Sequence, residues 1–371
     1  MPIYWSMLLV TVVLGLFCYV TPQKKMTIEG CEANRVNIAF VFIIVAYIVF
    51  FLGFRDKVLD TGTYIASFNA LPDNFKDFLL YLSDVDSDIG FYLLAGLFKV
   101  FISQEHYAWL FFLALVSCVC VFRTLYKYSV DFPLTAYLFI ATTTFTWILN
   151  GSRQFLVVSI LFGFVDWLIE GKKLKYIFLI LILTTIHSSA IFMVVIVLFV
   201  SSEEIFGKRM LFFMILTVVG TYYSENIFEF LRTTSDSLDY SETLGMSGGS
   251  NVIRLLEASI PVLIVLLNLE NVKKIAPRSI KLATNMSLIG NCFYFASTFT
   301  NGILVGRMPI YFTIYNLFLL PWVIRNCFTR ESNRIVWFSC VICYLIYFYY
   351  QMCIAWGGLM YVSEFLKINF C

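Results

Sequence analysis

Long apolar runs separated by short polar steps dominate the chain. The runs fall at residues 4–20, 36–53, 89–102, 107–122, 132–149, 154–169, 174–200, 210–223, 252–269, 280–299, 308–324 and 335–356. Hydrocarbon forces every backbone amide to be satisfied within the protein, which leaves helices and closed barrels as spanning structures. A barrel needs short segments of alternating polarity, and the sequence contains none. The pattern predicts an all-α, polytopic integral membrane protein with about 10–12 transmembrane helices. It reads as a single multi-pass domain over 1–371, with two long polar loops, one at 54–88 expected to carry an interfacial helix and one at 224–251.

Charge orients these runs. Basic residues gather in five steps: 21–35 (Lys24, Lys25, Arg35), 123–131 (Arg123, Lys127), 171–175 (Lys172, Lys173, Lys175), 273–281 (Lys273, Lys274, Arg278, Lys281) and 325–334 (Arg325, Arg330, Arg334). The positive-inside rule puts all five in the cytoplasm. The loop 54–88 is then external, and 89–102 with 107–122 together cross only once. The shorter run, which carries Lys99, is expected to be a re-entrant or interfacial helix. Lys208 and Arg209 also prefer the inside, so 174–200 crosses an even number of times. Two half helices hinged near "TTIHSS", with His187 at an outward turn, satisfy this; a single tilted helix is the alternative. On this map the loop 224–251 and the steps 150–153 and 300–307 face outward. Arg153 and Arg307 thus lie on the external side, against the charge bias.

Composition agrees with the pattern and narrows the chemistry. The chain is 60% hydrophobic and 13% charged, more apolar surface than a soluble fold of this length can hide. There is no basic tract interleaved with aromatics, so nucleic acid is not an expected partner. The ten cysteines mostly sit inside apolar runs without Cys/His metal spacing. They read as buried thiols, and neither a metal nor a cofactor is expected. The first apolar run has no charged start or small-residue cleavage site and reads as a retained helix.

The outward polar residues are the candidates for function. Arg153 follows "NGS" at a helix start, where free amides and a guanidinium suit an anion such as phosphate. Arg307, in "GRMPIYF", has a similar setting. Either could instead be an interfacial arginine reaching for water. The loop 54–88 opens with Arg55, Asp56, Asp60 and Tyr64. It closes on "SDVDSDIGFYLL", where the alternation of Asp84, Asp86 and Asp88 fails as a calcium loop because Ile89 and Ala95 occupy its sixth and twelfth positions. Asp88 reads as a helix N-cap or as an active-site carboxylate. His187 lies in an apolar run, a place where an ionisable group is a functional candidate.

The ordered motifs "RDxxxDTGTY", "DIGFYLL", "NGSRQFL", "KKLKYIFLI…TIHSSAI" and "GRMPIYF" resemble the EpsG-like family of bacterial polysaccharide polymerases, similar in role to Wzy-type O-antigen and capsule polymerases. The resemblance runs from about Arg55 to Tyr315. Its sharpest elements are Arg153-Gln154 and the run from His187 to Ala190; the family's acidic position, often Glu, is Asp88 here. It implies transfer of a growing glycan from polyprenyl diphosphate onto a new lipid-linked repeat unit, at the outer face of the cytoplasmic membrane. Partners would be the polyprenyl-diphosphate-linked oligosaccharide, membrane lipids, a flippase and a chain-length regulator. Arg153, Arg307 and Gln154 would stabilise the departing diphosphate, and Arg55 would also bind substrate. Asp60, Asp88 or His187 would act as base, the imidazole slightly favoured. Tyr64 and Tyr311 could stack on a sugar. A lipid-linked oligosaccharide flippase would call for internal repeats, which are not found. A membrane O-acyltransferase would also need an intramembrane histidine, but its donor would draw polar groups to the inner side.

Overall fold

The computed structural model describes residues 1–29, 31–224, 249–300, 302 and 305–370. Each of the twelve apolar runs forms helix, and among the described residues the strands amount to two short hairpins, so the fold is all-α and polytopic. In chain order the elements are α1 (Pro2–Val20), the hairpin β1 (Lys24–Ile28) and β2 (Cys31–Arg35), α2 (Ile38–Gly53), α3 (Thr61–Asn69), α4 (Phe75–Ser83), α5 (Ile89–Phe101), α6 (His106–Tyr128), α7 (Phe132–Ala141), α8 (Ser152–Gly163), α9 (Val165–Ile169), α10 (Lys173–Thr184) and α11 (Phe192–Phe199). There follow α12 (Lys208–Tyr222), α13 (Val252–Leu267), α14 (Leu269–Ile275), α15 (Arg278–Phe299), α16 (Ile310–Thr313), α17 (Asn316–Cys327), α18 (Arg330–Tyr349) and the hairpin β3 (Tyr361–Ser363) and β4 (Ile368–Phe370). Among the described residues, α1, α6 and the helical stretch Arg330–Ala355 are each long and apolar enough to cross a membrane unbroken.

Three of the other runs are broken at identifiable places. Thr143 adopts a left-handed conformation (φ 60°) that ends α7 and starts a 3-10 turn over Thr144–Ile148. Helix α10 stops at Thr184; the backbone opens at His187 (φ −152°, ψ 118°), and a second 3-10 turn, Ser188–Ile191, leads into α11. The run 174–200 is therefore not one continuous helix, and its break falls in the "TTIHSS" segment. Helices α13 and α14 meet at 85°.

The chain folds as two compact units, Met1–Val194 with Arg330–Cys371, and Val195–Thr329. In the first, α1 packs on α2 and α7, α2 on α6, α6 on α8, and α7 on α18. This unit has two chemically different ends. At one, Arg123 and Lys127 pair with Asp166 at 3.2 and 2.9 Å, and Arg35 lies 4.5 Å over the Tyr126 ring. Lys172 and Lys173 begin α10 at this end, just after α9. At the other end, Asp56 accepts bonds from Tyr107 at 2.8 Å and from the Glu364 amide at 2.7 Å, and Tyr361 donates to the Phe51 carbonyl at 2.8 Å. The C-terminal hairpin thus straps the start of the 54–88 segment to α6.

That segment holds two short helices, α3 and α4, where one interfacial helix was expected. Helix α5 is too short to span, at about 20 Å for its 13 residues. Its start lies beside Arg153, and His106, just beyond its end, lies 3.4 Å from Asp56. Arg55 in turn bonds Ser152, so both termini of α5 sit at one end of the unit. Parity had required α5 not to cross, and this placement agrees. A core of Tyr64, Phe68, Phe91, Phe98, Trp109 and Leu156 joins α3 and α5 to α6 and α8.

In the second unit, α13 and α12 pack on α15, and α17 on α13. Most of the loop expected at 224–251, residues 225–248, lies outside the described residues.

Candidate active site

Three residues far apart in sequence meet at the strapped end of the first unit. Arg153 Nη1 donates to Asp88 Oδ2 at 3.0 Å. His187 Nδ1 lies 3.6 Å from the same oxygen, and the Ser188 amide donates to Oδ1 at 3.3 Å. Asp88 is 12% exposed, Arg153 23% and His187 27%, so the cluster is sheltered but open to solvent. The rings of Phe91, Tyr92 and Tyr64 surround the guanidinium at 5.1, 5.5 and 5.7 Å, distances suited to cation–π attraction.

Local backbone chemistry builds this meeting. Asp88 occupies the N-cap position of α5, as its sequence suggested, but in a left-handed conformation (φ 51°) and without capping its own helix. The carboxylate turns instead to Arg153 and Ser188. Left-handed backbone at a residue with a Cβ is strained, and such strain clusters at functional sites. Two residues on, the Gly90 amide donates to the Thr185 carbonyl at 2.8 Å. A Cβ on Gly90 would stand 2.9 Å from both the carbonyl carbon and Cβ of Thr185, so only glycine permits this approach. The "DIG" step is thereby clamped onto the break that presents His187. Gly151, at φ 84°, turns the chain into α8 and sets Arg153 in its first turn.

Arg55 lies beneath the cluster and is fully buried. It donates to Thr61 Oγ1 at 2.9 Å, to the Ile148 carbonyl at 2.9 Å, to Ser152 Oγ at 3.4 Å and to the Leu52 carbonyl. Burial lowers its guanidinium to about 10, which leaves it charged at neutral pH. Its donors are directed at protein, so it fixes the start of α8 rather than meeting a substrate.

The remaining candidates divide. Tyr64 is buried, and its hydroxyl accepts a bond from the Arg153 amide at 3.3 Å. It belongs to the cluster, but its ring serves the arginine. Asp60 begins α3 one turn before Tyr64; it is half-buried, and among the described residues its carboxylate has no hydrogen-bond or ion-pair partner. Gln154 is buried on α8. Arg307 and Tyr311 belong to the second unit, Arg307 exposed in a 3-10 turn and Tyr311 buried in α16. Inspection of the sequence missed Phe91 and Tyr92, although their three- and four-residue spacing from Asp88 places them over the same turn of α5. It also missed the Ser188 amide, which leaves no mark in a sequence.

The electrostatics favour an ionised carboxylate. Burial works to raise the Asp88 carboxyl, but the neighbouring His187 imidazole and Arg153 guanidinium outweigh it and hold it below the usual carboxylate range. A carboxylate so committed is a poor base and a good orienting group. His187 Nδ1 makes no hydrogen bond at 3.6 Å, and the tautomer that turns an Nδ1 proton toward the carboxylate leaves Nε2 as an acceptor. Arg153 spends one donor on Asp88; among the described residues its other guanidinium N–H groups have no protein acceptor. An oriented imidazole beside an available guanidinium can take a proton from a hydroxyl while stabilising an anion.

A family model matches residues 38–361, from α2 through the first residue of β3. The chain belongs to the EpsG family. Membership suggests a glycosyltransferase-like polysaccharide polymerase, and together with the apolar helices it supports a membrane protein of polysaccharide biosynthesis. No curated protein and no solved structure matches the chain. The matched span contains Asp88, Arg153 and His187.

Proposed function

We propose that this EpsG-family chain joins polyprenyl-diphosphate-linked oligosaccharide repeat units into surface polysaccharide at the outer face of the cytoplasmic membrane. The observation that carries this reading is the convergence of Asp88, Arg153 and His187 at the end of the first unit opposite its cluster of basic residues. Under the positive-inside rule the basic end faces the cytoplasm, which turns the cluster outward. A lipid-linked glycan displayed at that face carries a diphosphate suited to an available guanidinium.

In the reaction, a hydroxyl at the non-reducing end of the acceptor unit attacks the anomeric carbon of the donor glycan. The new glycosidic C–O bond forms as the bond from that carbon to the diphosphate oxygen breaks. The hydroxyl proton passes to His187 Nε2, and the lipid diphosphate leaves with the bonding electron pair. Arg153 stabilises the charge that grows on this leaving group, an effect worth about 3–4 kcal/mol for one well-placed donor. Asp88 positions both partners, its Oδ2 facing the guanidinium and the imidazole alike. Gly90 holds that arrangement together.

The test is complementation of a strain lacking the gene. Arg153→Ala is expected to reach the membrane in normal amounts while single repeat units accumulate on lipid and long polymer disappears. Normal glycan length in that variant would remove Arg153 from the mechanism. A cysteine at Ser188, in a background without native cysteines, is expected to react with an impermeant thiol reagent in intact cells. Labelling only after permeabilisation would refute the outward orientation.

A further inference from the structure

A second polar site lies in the other unit and has no part in the chemistry above. Its wall is the loop between α11 and α12, which Asn285, fully buried on α15, holds at three points. The amide nitrogen of Asn285 donates to the carbonyls of Ser201 at 2.9 Å and Glu204 at 2.8 Å, while its oxygen accepts from the Phe206 amide at 3.2 Å. Phe206 takes a left-handed conformation (φ 55°), and Arg278 pairs with Glu203 at 3.3 Å. The loop is therefore built, and it borders an open pocket of about 450 Å³.

Lysines from three separate helices line this cavity. Lys208 opens α12, Lys273 lies on α14 and Lys281 on α15. Among the described residues, neither Lys208 nor Lys281 has an ion-pair or hydrogen-bond partner, and Lys273 meets Glu270 only at 3.8 Å. Glu203 and Glu204 also line the cavity, but Glu203 is taken by Arg278. With Glu203 taken by Arg278, three lysines face one further carboxylate, Glu204, and the net positive lining suits an anion of phosphate type.

The surface next to the cavity says which anion. Leu211, Phe212 and Ile215 stand three, four and seven residues beyond Lys208, on its own face of α12, and are 59%, 56% and 54% exposed. An apolar stripe thus begins one turn from the lysine. We propose that the cavity binds the headgroup phosphate of an anionic membrane phospholipid, whose acyl chains run along this stripe. Glu204 supplies an acceptor for a headgroup hydroxyl. The site is independent of the polymerase reading, since every residue in it belongs to the second unit.

The full chain in detergent provides the test, with binding followed by thermal stabilisation during titration. Short-chain phosphatidylglycerol is expected to bind saturably, and phosphatidylcholine and glycerol phosphate far more weakly. Lys208→Gln with Lys281→Gln should weaken phosphatidylglycerol binding about thirtyfold, corresponding to about 1 kcal/mol for each basic residue lost. Lys24→Gln with Lys25→Gln, remote in sequence and outside the cavity, should bind like the parent. Should the double variant fail to fold, Lys273→Gln alone is expected to lower the affinity several-fold. Equal binding of phosphatidylcholine, undiminished binding in the cavity variants, or glycerol phosphate binding as tightly as the lipid would overturn the proposal.

Discussion

Replacing Asp88 by asparagine removes one charge and almost no volume. Asparagine tolerates the left-handed backbone at φ 51° at least as well as aspartate, so the substitution adds no strain of its own. What it takes away is electrostatic. At the 3.0 Å separation from Arg153, Coulomb's law with an effective dielectric of ~20 gives an upper limit of about 5–6 kcal/mol. Solvent reaches both partners and the asparagine oxygen still accepts a bond, which reduces the net loss to roughly 2 kcal/mol. About 2 kcal/mol is near thirtyfold in the population with Arg153 correctly aimed. The same change strips His187 of the carboxylate that orients it. Chain extension is therefore expected to fall by about a hundredfold or more, the usual size of a lost acid–base arrangement. The assay is glycan length on gels from complemented cells, with the membrane level of the protein measured alongside. Thermal melts of Asp88→Asn, Arg153→Gln and the double variant complete a cycle, which should return a coupling near ~2 kcal/mol. Wild-type extension by Asp88→Asn at wild-type abundance, or a coupling of zero, would refute the reasoning.

Other outcomes follow from the same geometry. His187→Gln should lower extension by about 10²–10⁴-fold with unchanged membrane abundance, measured in the same complementation assay. Gly90→Ala should push the Asp88 step off Thr185, costing about 1–3 kcal/mol in thermal melts and most of the polymer. Tyr361→Phe removes the hydroxyl that reaches the Phe51 carbonyl and should destabilise the protein by about 1 kcal/mol while activity persists. The Asp88 carboxyl is held low in the folded state, so its stabilising contribution is present above the unfolded value and disappears as pH falls through the folded one. The melting difference between wild type and Asp88→Asn should accordingly be constant above the ordinary aspartate range and disappear as pH falls through the lowered folded-state value.

The hydrophobic pattern alone determined that this chain is a helical membrane protein, because hydrocarbon leaves the backbone so few options. It also located the helices: each of the twelve apolar runs became helix, and the break at "TTIHSS" and the short α5 fell where charge parity needed them. The ordered motifs carried the family, since residues fixed by one chemistry recur in one order. Tertiary structure decided the roles. Arg55, Arg153 and Arg307 look alike in sequence, each in a polar step between apolar runs; the fold buried the first under protein carbonyls, left the second with donors to spare, and put the third in another unit. Asp60 and Asp88 both begin helices, yet only Asp88 meets a guanidinium and an imidazole. The residues of that cluster lie 34 to 99 positions apart by the numbering of Asp88, Arg153 and His187. Local pattern holds no information over such spans, because packing of α5, α8 and the α10 break brings the three groups within a few ångströms.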